Sequence, residues 1–158
     1  MPANRAAAAG PGEIHAGGMI GERLDYIVPA ARVLFAAIFV MAAPGLFGDE
    51  AMIAAAARGV PFVEALVPLA GLLALLGGLS VAFGFKARIG AAMLITFLVP
   101  VTVMMHDFWA LSDPAAAKLQ QVMFMKNITM LGGALLVLYH GAGPISLDAR
   151  DRRDRLRG

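Results

Sequence analysis

Four long stretches of the chain are apolar and nearly free of charge, each bounded by glycine, proline or ionisable residues. They run from Tyr26 to Phe47, Phe62 to Phe85, Ile89 to Met105 and Leu119 to Tyr139, and together hold 84 of the 158 residues. The only charged residues inside them are Arg32, Glu64 and Lys126. A bilayer core about 30 Å thick needs roughly 20 apolar residues per helix, within a range of about 17 to 25. All four stretches meet that length. The pattern therefore predicts an all-α membrane protein, an antiparallel bundle of four transmembrane helices. It divides the chain into a flexible tail over residues 1–25, a membrane domain over 26–148 and a basic tail over 149–158.

The polar punctuation refines the elements. Asp49 is the expected N-cap of a short Ala-rich helix from Glu50 to Arg58 that Gly59 and Pro61 end. The link from Gly84 to Arg88 is so short that spans two and three form a hairpin. Ser112-Asp113-Pro114 puts a capping side chain before a proline at the first helical position, so the last helix is expected to start at Pro114. Alternating Asp and Arg from Asp148 onward reads as a solvated or lipid-surface tail. Ala70, Ala74, Gly78 and Ala82 form a small-residue stripe of the kind along which membrane helices approach closely. Such a seam serves packing within one protomer, and it also admits a homo-oligomer.

Charge then sets the expected orientation. Arg5, Arg23, Arg32, Lys86, Arg88 and the arginines at 150, 152, 153, 155 and 157 fall on one side if the helices alternate; only Arg58 and Lys118 fall on the other. The positive-inside rule then puts both termini in the cytoplasm and the connections 48–61 and 106–118 outside. The first span itself is expected to act as the targeting signal. Arg32, Lys86 and Arg88 read as inner-face anchors, with Arg32 expected to snorkel to lipid phosphates rather than enter a buried pair with Asp25 or make a functional anion contact.

Composition narrows the function further. The chain is 59% hydrophobic and 15% charged, against roughly 25% charged for soluble domains, and no segment outside the spans is long enough for a soluble core. A net charge of +2 gives no footprint for nucleic acid, and zero cysteines exclude disulfide exchange and thiolate metal sites within this chain. P-loop, GxGxxG, HExxH and GxSxG motifs are absent, so no cofactor is held by a recognisable motif.

The remaining polar residues gather toward the expected outer half: Glu64, His106, Asp107, Lys126 and Asn127, with Phe108 and Trp109 beside them. An ionisable group inside a span needs a partner or a route to water. Three arrangements fit: a structural lock in which Lys126 bridges to Glu64 or Asp107; a pocket for an amphipathic redox molecule such as a quinone headgroup; and an ion or proton path. The methionines, Met104, Met105, Met123, Met125 and Met130 among them, read as adaptable packing. His15 and His140 lie away from His106, so no two histidines meet in one protomer.

Val67-Pro-Leu-Ala-Gly-Leu-Leu-Ala-Leu-Leu-Gly-Gly-Leu79, Gly84-Phe-Lys-Ala-Arg88, His106-Asp-Phe-Trp109, Phe124-Met-Lys-Asn-Ile-Thr-Met-Leu-Gly-Gly-Ala134 and Gly143-Pro-Ile-Ser-Leu-Asp148 occur in that order. In order and spacing they resemble the DoxX family of small four-helix membrane proteins, over about residues 26–148. At the end of span one many relatives have a glycine closely followed by a lysine, where this chain has Ala43-Pro44-Gly45-Leu46-Phe47. The resemblance implies a bacterial inner-membrane protein associated with quinone-linked redox systems, working beside a soluble redox partner. It also implies that Glu64, His106, Asp107, Trp109, Lys126 and Asn127 are motif positions.

Overall fold

The computed structural model describes residues 25–158, and the tail expected over residues 1–25, with Arg5, His15 and Arg23, lies outside them apart from Asp25. Among the described residues six helices follow one another: α1 (Ile27–Ala42), α2 (Asp49–Ala57), α3 (Val63–Phe83), α4 (Ala87–Met105), α5 (Pro114–His140) and α6 (Leu147–Arg155). Short 3-10 segments extend α1 over Ala43–Phe47 and follow α4 over Phe108–Ala110. Four segments are long and apolar enough to cross a bilayer: Ile27–Phe47, Val63–Phe83, Ala87–Ala110 and Pro114–His140. No strand occurs among the described residues. The chain is therefore an all-α, multi-pass membrane protein.

The core is built from small side chains. Ala36, Ala43, Ala74, Ala91 and Ala134 are buried with Phe39, Val81, Leu94 and Leu98. Without a hydrophobic drive between helices in lipid, close backbone approach supplies the packing energy. A methyl group built on Gly78 would meet Ala36, Phe39 and Val40 of α1, so the small-residue stripe of α3 packs on α1. A second contact, which the spacing of four does not reveal, joins α3 to α4: a methyl group on Gly77 would meet the Gly90 carbonyl and Leu94, and one on Gly90 would meet Ser80. On α5, only Asn127 and Ala134 are buried, and much of this helix faces outward. It lies along α4, and Phe35 of α1 reaches across to Gly133.

Capping fixes the ends, with two departures from expectation. The start of α5 is as predicted: Asp113 accepts from the Ala115 and Ala116 amides at 3.4 and 3.0 Å. The N-cap of α2 is Gly48, with Asp49 and Glu50 in its first turn, where their carboxylates meet the positive end of the helix dipole. The larger departure is at the C-terminus. The expected solvated or lipid-surface tail from Asp148 is exposed from Arg150 onward, but it is helical: α6 is started by Ser146, whose hydroxyl accepts from the Ala149 amide at 3.1 Å.

Helix α6 is tied to the bundle by three sets of bonds. Asp148 accepts from the Lys86 and Ala87 amides at 2.6 and 3.1 Å and so caps α4 from sixty residues away, which also starts that helix two residues ahead of the expected span. Its own amide donates to the Gly84 carbonyl at 2.9 Å. Lys86 takes the left-handed conformation, φ 48°, that this turn requires. Arg32, only 5% exposed, donates to the Ala142 and Ile145 carbonyls at 2.6 and 2.7 Å. Arg32 therefore does not snorkel to lipid: its fork is taken up by backbone oxygens that the break after α5 leaves open. Arg88 donates to the Tyr139 carbonyl at 3.0 Å, near the C-terminal end of α5. The α3–α4 turn, the start of α1 and α6 thus share one end of the bundle, the arginine end; α2 and residues 106–113 occupy the opposite end.

Candidate functional site

Two contacts define the geometry of the opposite end. Arg58, following α2, forms an ion pair with Asp107, just past α4; the two side chains are 27% and 28% exposed. The imidazole Nδ1 of His106 lies 2.7 Å from Gln120 Oε1 on α5. The His106–Gln120 contact at this end and the Arg88–Tyr139 bond at the other fix the antiparallel register of α4 and α5. That register brings Asn127 to the level of Val99 and Pro100, within a turn of Thr102.

The expected bridge from Lys126 to Glu64 or Asp107 is not formed. Asp107 is taken by Arg58, which the loop after α2 carries over it, and Glu64 is exposed in the first turn of α3, where it faces the N-terminal dipole. Lys126 is exposed, and its ammonium contacts the Met123 thioether at 3.3 Å. It lies seven residues before Gly133, on the stripe of α5 that meets Phe35 of α1. The cation therefore lies on the α1 side of α5 and is exposed there. Asn127, one residue on, is 5% exposed on the face turned to α4 and makes no side-chain hydrogen bond among the described residues. Thr102, also buried, is occupied by its own helix, donating to the Leu98 carbonyl at 2.5 Å.

Phe108 and Trp109 form an aromatic triangle with Phe124 of α5. Ring centroids are 5.1, 5.6 and 5.8 Å apart and all three pairs meet edge to face, the arrangement favoured by the ring quadrupoles. Trp109 is 59% exposed at the rim. The structure thus brings together His106 with Gln120, and Phe108 and Trp109 with Phe124, while Asn127 lies one turn further along the same face of α5. Glu64 stands apart, at a shallow cleft lined by Ala56, Val60 and Phe62.

Sequence reading missed Arg58, Gln120 and Phe124. The last two carry a signal: Gln120, Phe124 and Asn127 follow one another at helical spacings of four and three, so a polar residue, an aromatic and an amide share one face of α5. Arg58 carries none, because its partner is 49 residues away.

The family model that matches is the SURF4 family, over residues 22–153. The chain belongs to the SURF4 family. This SURF4-family chain is 33% identical to the inner membrane protein YqjF of Escherichia coli (strain K12), an alignment covering 78% of the chain and 91% of the relative. It is 26% identical to the inner membrane protein YphA of the same organism, over 76% of the chain and 86% of that protein. No solved structure matches. The ordered motifs that resemble DoxX thus lie in a chain whose matching family model is SURF4, and the common ground is a small integral inner-membrane protein with several spans.

Proposed function

We propose that this protein binds a quinone headgroup at the Lys126–Asn127 step of α5 and serves as the membrane subunit of a redox system. The observation that carries this reading is the division of labour between two cations. Arg58 takes Asp107 and locks the loop after α2 to the end of α4. Lys126, a costly group at membrane depth, is left with only a thioether contact, and Asn127 beside it makes no side-chain hydrogen bond among the described residues, so its amide is open to a ligand. A quinone is apolar enough to arrive through lipid along the α1–α5 seam. Its carbonyl oxygens would accept hydrogen bonds from the Lys126 ammonium and the Asn127 amide, relieving both groups, with the aromatic triangle against the ring. Electrons and protons would come from a soluble redox partner, in keeping with the redox association that the DoxX resemblance implies. In this reading both termini are cytoplasmic and the site lies in the outer half of the bundle.

Trp109 is the only tryptophan, so its emission reports on this end of the molecule without labelling. Titrating detergent-solubilised protein with a short-chain quinone should quench Trp109 saturably. Lys126→Met and Asn127→Leu should each raise the half-saturating concentration about tenfold, the worth of one hydrogen bond to a charged or buried group. Linear, unsaturable quenching that is the same in all three proteins contradicts the proposal. It would favour a second reading, a membrane scaffold whose polar end is structural, for which the Arg58–Asp107 lock is the supporting contact.

A further inference from the structure

We infer that the arginine end carries a binding site for one anionic phospholipid, separate from the polar cluster at the opposite end and independent of the quinone reading. Two adjoining cavities make it. The first, about 860 Å³, lies between the α3–α4 turn, the break after α5 and helix α6. Five cationic side chains border it, Lys86, Arg88, Arg152, Arg153 and Arg155, against two carboxylates, Asp148 and Asp151. Both carboxylates are already engaged, Asp148 by the Lys86 and Ala87 amides and Asp151 by Arg155 at 2.9 Å. The cleft is therefore cationic by a margin of three, and none of its positive charge is held by an acid from another element.

The second cavity, about 820 Å³, is a groove on α5 lined by Leu135, Leu138 and Tyr139, and it shares Arg88 and His140 with the first. Both volumes fall within the range of roughly 300 to 1,000 Å³ typical of ligand sites. A basic cleft for a phosphodiester that continues, across Arg88, into an apolar groove along a membrane-spanning helix has the shape of a phospholipid: headgroup under α6, acyl chain against Leu135 and Leu138. A soluble phosphate would use only the first cavity. The continuity of the two identifies the occupant as a lipid, and basic pockets at the ends of spanning helices are where lipid headgroups are recognised. Helix α6 is well placed for this, because Asp148 holds its start against the α3–α4 turn and Arg32 holds the segment before it, leaving its exposed arginines beside the cleft.

The test is lipid retention by the intact, detergent-solubilised chain, read by native mass spectrometry with phosphatidylglycerol and phosphatidylcholine as probes and glycerol 3-phosphate as a free anion. The parent protein should hold phosphatidylglycerol at least about tenfold more tightly than phosphatidylcholine, since each basic side chain near a lipid phosphate contributes on the order of 1 kcal/mol. The paired change Arg152→Gln with Arg153→Gln, at exposed positions that bond to no other element, should abolish that preference and leave the melting temperature unchanged. Leu138→Trp should fill the groove and weaken phosphatidylglycerol binding. Equal retention of the two lipids by the parent overturns the inference, as does an unaltered preference in the arginine pair variant. Tight binding of glycerol 3-phosphate with no effect of Leu138→Trp would show a soluble-anion site and overturn the lipid assignment.

Discussion

Arg32 is the residue whose role changes most between sequence and structure. One arginine near the end of a hydrophobic run reads as a snorkelling anchor, because nothing within a few residues can accept its hydrogen bonds. Its acceptors, the Ala142 and Ile145 carbonyls, lie 110 and 113 residues away and exist only because α5 stops at His140 and the chain turns back. Charge-assisted bonds of this kind are worth about 1.5 to 3 kcal/mol each. Arg32→Met should therefore lower stability by about 3 kcal/mol and free the C-terminal segment, which thermal melting in detergent and limited proteolysis after Ala142 would register. An unchanged melt with α6 still protected would disprove the latch. The exposed ion pair predicts a smaller effect. With both side chains more than a quarter exposed, a double-mutant cycle of Arg58→Ala and Asp107→Ala should give a coupling of at most about 1 kcal/mol.

Among elements, the four spans, the Pro114 start and the α3–α4 hairpin were legible because each rests on local signals: apolar length, a capping aspartate before proline, a short glycine-bearing link. The small-residue seam on α3 was legible too, from spacing alone, but not that α1 is what packs on it. The Gly77–Gly90 crossing was not, since it depends on the register between two helices, and neither was α6, whose Asp/Arg pattern has no apolar face to mark it. Its helix is instead held by Ser146 at its start and by Asp148 against the α3–α4 turn. The crossing makes a sharp prediction. Gly77→Leu should push α4 away from α3 and reduce the folded yield severely, as overpacking of a close helix contact costs about 1 to 3 kcal/mol or more. Gly132→Ala, on a helix face where a methyl group meets nothing within 4 Å, should leave the yield unaltered. Size-exclusion profiles of the two variants decide this.

On the scale of the whole molecule, the bundle has two chemically distinct ends. One gathers the arginines and a C-terminal helix beside a basic cleft; the other carries an ion-pair lock, an aromatic triangle and a lysine that pairs with no acid among the described residues. The sequence located both groups of residues along the chain. It did not show which acid met which base, because Lys126 and Arg58 compete for the same Asp107 and only the path of the loop after α2 decides between them. The charge asymmetry predicts an orientation with both termini in the cytoplasm. The chain has no cysteine, so single-cysteine variants are clean reporters. In intact cells a membrane-impermeant maleimide should label Ser112→Cys and spare Leu156→Cys, and the reverse pattern would turn the bundle over.

The central claim is that the Lys126–Asn127 step receives a quinone. Photoaffinity labelling of the membrane-embedded protein with an azido-quinone, followed by peptide mapping, tests it most directly. The account predicts that label concentrates between Gln120 and Asn127 and at Phe108–Trp109, and that excess unlabelled quinone removes it. Label spread evenly along the outward face of α5 and insensitive to competitor would contradict the claim.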